Sequence, residues 1–136
     1  MLKKVRNIGL GIIVIVIGGV AVLWSLLSKE HSEGINLPIG IVNFNKFHDG
    51  TFDGKYEGGQ FKWRANKVQV TVSSGKVSDI KLLEDTEERP TEFTNALFNR
   101  VIKSQTLQVD TISGATISSK AYLKAVEDAL SKSLHQ

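Results

Sequence analysis

The sequence predicts an α+β domain, a small antiparallel sheet with two helices, preceded by one N-terminal transmembrane helix. Three observations lead to this prediction. An uncharged run of 20 residues extends from Ile8 to Leu27. In the middle of the chain, polar and apolar residues alternate on both sides of a Ser-Ser-Gly-Lys turn, which is typical of a half-buried hairpin. Two later stretches carry apolar residues at the three- and four-residue spacing of amphipathic helices.

The uncharged run is long enough to cross a membrane. At about 1.5 Å per residue, a helix over residues 8–27 spans roughly 30 Å, the thickness of the hydrocarbon core of a bilayer. Lys3, Lys4 and Arg6 precede it. The positive-inside rule therefore places residues 1–7 in the cytoplasm and the rest of the chain outside the cell. We expect a single-pass protein of a bacterial cell membrane.

A cleaved signal peptide is the alternative interpretation of this run. Signal peptides usually have a shorter apolar core, of about 7–15 residues, followed by a cleavage site of small residues. The outer end of the run, Leu23–Leu27, is bulky and has no such site. The sequence therefore favours an uncleaved anchor.

The charge distribution argues against a nucleic-acid partner. Three of the 17 Lys and Arg residues precede the apolar run, which leaves 14 after it, and all 14 Asp and Glu residues also follow it. The external part is formally neutral and has no excess of positive charge for a phosphate backbone. The chain has no cysteine, which excludes disulfides, thiolate metal sites and a lipid-modified cysteine.

The external part divides into a linker and a domain. Residues 28–48 contain Gly34, Pro38 and Gly40 and apolar residues without a clear period, so they are interpreted as a linker. The folded domain is predicted over 49–136, beginning near Asp49. A domain of this size can be held together by its core alone.

Periodicity predicts the elements of this domain in order. A short strand with flanking turns lies within 49–59, and alternation from Phe61 to Val72 predicts a second strand. A turn over Ser73–Lys76 leads to a third strand over Val77–Leu83, followed by a polar loop from Glu84 to Arg89. Helical spacing predicts one helix from Pro90-Thr91 to about Ser104 and another from Ile117 to Ser133.

The segment between Val109 and the last predicted helix is the candidate binding site. Its small and hydroxyl-bearing residues allow the backbone to approach a ligand closely, and Gly114 tolerates a positive φ. Thr116 lies at or near the N-cap of the helix, where free amides and the helix dipole favour an anion such as a phosphate. The candidate cofactor-binding residues are Asp110, Thr111, Ser113, Gly114, Ala115 and Thr116. The alternative is an ordinary loop and helix cap, because Thr and Gly are common at such positions.

In its context this segment resembles the FMN-binding domain family. That family includes the C subunit of the sodium-pumping NADH:quinone oxidoreductase, the G subunit of the Rnf complex and small extracellular bacterial flavoproteins. Its attachment motif is Asp-x-x-Ser/Thr-Gly-Ala-Thr, and Asp110–Thr116 matches every fixed position. The resemblance extends from about Gly50 to Leu130, through the opening strand, the central hairpin and the last helix.

The resemblance implies a cofactor and a mode of attachment. Thr116 would carry FMN as a phosphoester on its Oγ, and Asp110 would be part of the signal read by a separate, metal-dependent flavin transferase that uses FAD. A Thr hydroxyl is a weak nucleophile without a base. The three histidines, His31, His48 and His135, are all distant from Thr116 in sequence, so the residues near it do not suggest self-catalysis. No catalytic or metal-binding residues are assigned.

The contacts to the flavin ring stay open at this point. Many larger relatives have a Thr-Pro-Gly segment near the ring, where this chain has Glu87-Glu88-Arg89-Pro90-Thr91. Arg89 either stabilises reduced flavin or pairs with Glu87 or Glu88, and the sequence favours the pair. Tyr56, Phe61 and Trp63 are candidates for stacking on the ring, with core packing favoured for at least two of them.

We therefore expect an extracytoplasmic flavoprotein that transfers electrons through FMN to a membrane redox partner. An electron carrier is favoured over a stand-alone enzyme, because no nicotinamide or small-molecule site is visible. Two alternatives are a flavin reductase with non-covalent FMN and a flavin-free adhesion or assembly module.

Overall fold

The computed structural model describes residues 2–59 and 62–134, and over them it confirms the α+β class. The described residues form three helices and one three-stranded sheet. The helices are α1 (Leu2–Ile35), α2 (Thr91–Ser104) and α3 (Thr116–Leu134), and the strands are β1 (Gly50–Tyr56), β2 (Asn66–Ser73) and β3 (Lys76–Asp85). The chain divides into two compact units between Ser32 and Glu33, and each is described by itself.

The N-terminal unit consists of most of helix α1. Within it, Gly9–Lys29 is long and apolar enough to cross a membrane by length and composition, close to the predicted 8–27. Large apolar side chains along this stretch are exposed, including Ile15 at 75% and Trp24 at 74%. A membrane-spanning helix and an N-terminal signal sequence both meet these criteria.

The sheet has the order β1-β2-β3, with both pairs antiparallel. Val70 on the central strand lies opposite Phe52 on one side and Ile80 on the other. Alternate residues of β2 are buried, as the period of two predicted, because that face packs against helix α3. The core joins this face to the apolar sides of α2 and α3.

The β2–β3 turn forms where the sequence predicted it. Ser74 and Gly75 have φ angles of 53° and 75°. Two successive positive φ angles are typical of the tight turns that suit the twist of a hairpin. The Asp49 carboxylate accepts hydrogen bonds from the backbone N–H groups of Ser74, at 3.0 Å, and Gly75, at 2.8 Å.

Two strand boundaries differ from the prediction. Strand β2 begins at Asn66 and not near Phe61, which lies outside the described residues. Trp63 instead lies in a turn that returns the chain from β1, where Gly58 and Lys62 have positive φ angles. Strand β3 continues to Asp85, beyond the predicted end at Leu83, because its last residue pairs with Asn66 at the start of β2.

Part of the segment assigned to the linker packs on the domain. Phe47 is a core residue with 7% of its surface exposed, and its ring lies 4.9 Å from that of Phe44 in an edge-on arrangement. The His48 carbonyl accepts a hydrogen bond of 2.8 Å from the Ser133 hydroxyl at the end of α3. The compact unit therefore extends to the N-terminal side of Asp49. The sequence did not predict this packing, because the apolar residues of the segment have no regular spacing.

Strand β1 lies directly against the backbone of α3 at Gly54. A Cβ at this position would lie 2.1 Å from the Ala125 carbonyl oxygen and 2.4 Å from the Ala129 nitrogen. No real side chain fits at such distances. This close approach sets the position of α3, and therefore of the residues at its N-terminus.

Candidate functional site

A tight turn precedes helix α3 and presents the centre of the predicted motif to solvent. We call Ile112–Ala115 the motif turn. The Ala115 N–H donates a 2.9 Å hydrogen bond to the Ile112 carbonyl, which closes the turn. Gly114 adopts φ 76° at the third position, where turns of type II require a positive φ. Ser113 and Gly114 are exposed, and nothing lies within 4 Å of the place where a Cβ on Gly114 would be.

Thr116 is the first residue of α3, one residue before the predicted start of this helix at Ile117, and its side chain is exposed. The Ala115 carbonyl accepts the 2.9 Å hydrogen bond of the Ser119 N–H, which places Ala115 at the N-cap and Thr116 immediately after it. The first turn of the helix contains no acidic residue. The helix end therefore combines an accessible hydroxyl with the partial positive charge of its N-terminus.

Two other predicted residues, Thr111 and Asp110, differ in their contacts. The Thr111 hydroxyl is 3.5 Å from the Thr116 hydroxyl, at the outer limit of a hydrogen bond. Asp110 is exposed, and none of the described residues forms a hydrogen bond or an ion pair with its carboxylate. Its backbone carbonyl accepts a 2.7 Å hydrogen bond from Arg100 of helix α2. The carboxylate is therefore not the cap of the following turn in this structure.

Arg100 and Ser119 hold the motif and were not predicted from the sequence. The Ser119 hydroxyl accepts a 3.1 Å hydrogen bond from the Ile112 N–H and donates one of 2.8 Å to the Ala115 carbonyl. Ser119 has no exposed surface. The only indication of Ser119 in the sequence was that a serine stands among the apolar residues of a predicted helix face. Its partners depend on how the preceding loop folds back, which periodicity does not reveal.

The Glu87 cluster, formed by Arg64, Glu87, Arg89 and Ser118, lies at the first turn of α3. The predicted pair of Arg89 with Glu87 is confirmed, with a distance of 2.9 Å between Nε and Oε2, and Arg64 approaches the same carboxylate at 3.1 Å. The Ser118 hydroxyl donates to Glu87 at 2.8 Å and accepts from Arg89 at 3.0 Å. The loop that replaces the Thr-Pro-Gly segment is therefore tied to α3 two residues after Thr116.

The Asp85 carboxylate, at the end of β3, also holds this loop through hydrogen bonds. It accepts hydrogen bonds from the backbone N–H groups of Glu87, at 3.2 Å, and Arg89, at 3.0 Å. It also accepts a 2.8 Å hydrogen bond from the hydroxyl of Tyr122 on α3. Burial, together with this bond to Asp85, raises the pKa of Tyr122 well above its usual range, so the hydroxyl remains a donor.

The aromatic residues considered for ring stacking differ in their surroundings. Trp63 is 47% exposed. Tyr56 is half-buried and packs against the core. Phe61 lies outside the described residues.

An open groove borders the motif on the side of residues 35–39. It has a volume of about 460 Å³ and includes Asp110, Thr111 and Lys120 in its wall together with apolar residues such as Leu107 and Leu123. Among residues 2–59 and 62–134, no group of three His, Cys, Asp or Glu side chains is arranged to hold a metal ion.

Comparisons with known proteins agree with the site. The model of the FMN-binding domain family matches residues 62–131, from the β1–β2 turn to the last turns of α3. The chain belongs to the FMN-binding domain family, and its cofactor is FMN. The match includes all six predicted site residues, and it argues against a flavin-free module.

Two individual proteins are similar to parts of the chain. A urocanate reductase of Eggerthella lenta is 36% identical over 86 residues, which are 62% of this chain and 13% of that protein. The chain thus spans about an eighth of the length of this curated relative. The crystal structure of the CPE2226 protein from Clostridium perfringens has a TM-score of 0.50 at 20% identity and covers 65% of this chain and 90% of that one. This likeness supports the fold alone.

Proposed function

We propose that this chain is a membrane-anchored, extracytoplasmic electron carrier whose FMN is joined through its phosphate to the Thr116 hydroxyl. The observation that carries the proposal is the exposed Thr116 side chain, at the first residue of α3 and directly after the motif turn. When bound, FMN supplies the electron-transfer chemistry. The chain supplies the attachment point and the surroundings of the flavin.

The residues at this end of α3 fit a phosphate. The first amides of a helix have no partner within the helix, and its dipole favours a negative charge there. No acidic side chain in the first turn of α3 opposes that charge. The open space beside Gly114 leaves room for a ligand to approach.

Attachment requires a second protein in this proposal. In the transfer, the Thr116 oxygen forms a bond to the flavin-side phosphorus of FAD, the pyrophosphate bond breaks and AMP leaves. The hydroxyl proton passes to a base. Neither of the described histidines, His31 and His48, is near Thr116 in sequence, so the transferase supplies the base and the metal ion. The Asp110 carboxylate, which is exposed and has no partner among the described residues, is available to that enzyme.

The apolar stretch Gly9–Lys29 would anchor the carrier in the cell membrane. The basic residues before it favour a cytoplasmic N-terminus and an extracytoplasmic FMN domain. A flavin tethered through its phosphate is not lost to the medium. Its ring is free to exchange electrons with a membrane redox partner.

Replacement of Thr116 tests the attachment. Thr116→Val retains the shape of the side chain and removes the hydroxyl, so we expect loss of covalent flavin with the fold unchanged. Thr91→Val is the matched control, because Thr91 is also exposed and is also the first residue of a helix, α2. Full-length variants are co-expressed with a flavin transferase, denatured, and measured by intact mass and in-gel flavin fluorescence.

We expect a mass increase of one FMN moiety in the wild type and in Thr91→Val, and none in Thr116→Val. Covalent FMN on Thr116→Val would disprove the assignment of this residue. A wild-type protein without added mass would disprove covalent attachment.

A reductase with non-covalent FMN is the second candidate, and the name of the Eggerthella lenta relative favours it. Here, FMN would be released by denaturation, and the native protein would reduce a soluble acceptor catalytically. The carrier proposal expects retention of flavin after denaturation and no sustained turnover with acceptors such as urocanate.

A further inference from the structure

Ser119 is a fully buried polar side chain directly behind the motif turn. It has no exposed surface, and it lies one turn along α3 from Ala115. Its hydroxyl forms two hydrogen bonds, and both partners belong to the motif turn. Buried hydroxyl groups are almost always hydrogen-bonded, and the motif turn supplies both partners of the Ser119 hydroxyl.

The two bonds connect both ends of the motif turn to the same oxygen atom. The Ile112 N–H donates to Ser119 Oγ at 3.1 Å, and Ser119 Oγ donates to the Ala115 carbonyl at 2.8 Å. The Ile112 carbonyl is in turn occupied by the Ala115 N–H. The exposed tip and the Thr116 hydroxyl therefore project from a turn that is held at both ends.

We infer that Ser119 is a positioning residue, which holds the motif turn against α3 and thereby sets the Thr116 hydroxyl in place for FMN transfer. The inference rests on the proposed function. Ser119 touches neither reacting atom, and it acts through Ile112 and Ala115. The attacking oxygen must lie in line with the phosphorus and the oxygen that leaves. A displacement of about 1 Å can slow such a reaction about a hundredfold.

A purely helical role for Ser119 does not account for both bonds. Serines within helices often bond to the carbonyl four residues earlier, as Ser119 does to Ala115. The hydrogen bond from the Ile112 N–H is different, because Ile112 lies seven residues earlier and outside the helix. This bond holds the loop and not the helix. Removal of the hydroxyl leaves this half-buried N–H without a partner, so we expect the turn to loosen while the core is kept.

Ser119→Ala tests the inference, with Ser133→Ala as the matched control. Ser133 lies on the same helix, is equally buried and donates one hydrogen bond, of 2.8 Å, to the His48 carbonyl, far from the motif in sequence. Both variants are prepared as the full chain in detergent micelles. Hydrogen exchange of the 110–116 peptide is measured before any flavin is attached. The rate and the end point of flavin incorporation are then measured with a purified flavin transferase and FAD.

We expect Ser119→Ala to speed exchange in the 110–116 peptide and to slow flavin incorporation about tenfold or more. The final extent of incorporation should still approach one per chain. Ser133→Ala should retain the wild-type exchange and rate. A slow rate with a full end point distinguishes a misplaced acceptor from an unfolded fraction, which would lower the end point.

Wild-type exchange and an unchanged rate in Ser119→Ala would overturn the inference, even if the wild type is fully flavinylated. If the wild type takes up no flavin, the proposed attachment fails, and the exchange measurement still decides whether Ser119 holds the turn. If Ser119→Ala loses its cooperative unfolding transition, Ser119→Cys replaces it. This change keeps the branching of the side chain, fills the space of the hydroxyl with a slightly larger sulfur and weakens both hydrogen bonds, so we expect an intermediate rate, and a wild-type rate would contradict the inference.

Discussion

At the scale of single residues, the motif turn depends on one glycine conformation. Gly114 has φ 76°, and a Cβ there would meet nothing within 4 Å. Gly114→Ala should therefore cost only the backbone strain of a positive φ, about 1–2 kcal/mol. We expect a fall in Tm of several degrees, measured by thermal denaturation, and slower attachment of flavin, since the turn shifts.

Gly75→Ala is the control for this prediction. Gly75, in the β2–β3 turn, has φ 75° and equally open surroundings, so it should lose similar stability. Its flavin incorporation should remain at the wild-type rate. Equal rates in both variants would show that the conformation of the motif turn is unimportant for attachment.

The sequence predicted candidate ligand-binding residues before the last helix, but not the residues that hold them in place. Small and hydroxyl-bearing residues before a helix carry a local signal, because capping and turn formation involve neighbours in sequence. Arg100 carried no such signal, and Ser119 showed only its place in the buried stripe of a helix. Their bonds to Asp110 and Ile112 form only when α2, the loop and α3 come together.

At the scale of elements, the contact between β1 and α3 has no room for a side chain. In Gly54→Ala, the added Cβ would overlap the Ala125 carbonyl and the Ala129 Cβ, at 2.1 and 2.7 Å. Strand and helix must separate, and overpacking of this kind typically costs about 1–3 kcal/mol, occasionally more. We expect a loss of at least about 2 kcal/mol in urea denaturation. A loss below about 0.5 kcal/mol would show that α3 can shift without penalty.

Periodicity predicted the hairpin and both helices of the domain, because each buries one face. It did not predict that Phe47 and its neighbours pack on the core, since residues 36–48 follow no regular element. The early start assigned to the second strand has a similar cause. Trp63 and Arg64 fit an alternating pattern but lie in the turn that an antiparallel connection requires.

At the scale of the whole molecule, the orientation in the membrane can be tested with single cysteines. The chain has none of its own. Lys103→Cys places one on the exposed end of α2, and Lys4→Cys places one before the apolar stretch. A maleimide that cannot cross the cell membrane should label Lys103→Cys in cells whose outer layer admits the reagent and whose cell membrane is intact. It should label Lys4→Cys only after the cells are lysed.

Labelling of Lys4→Cys alone in intact cells would reverse the proposed orientation. Recovery of the domain in the soluble fraction, without its first 30 or so residues, would indicate a cleaved signal peptide instead of an anchor. Fractionation before labelling separates these two results.

The sequence by itself determined the α+β class, the apolar N-terminal helix and the glycine-containing turn before the last helix, because these depend on local periodicity, hydropathy and turn formation. Only the tertiary structure decided how the motif is supported. It pairs Arg89 with Glu87 beside Ser118, leaves the Asp110 carboxylate without a partner among the described residues, and places Ser119 beneath the motif turn. The physical reason is that hydrogen bonds and ion pairs between distant residues depend on how strands and helices pack.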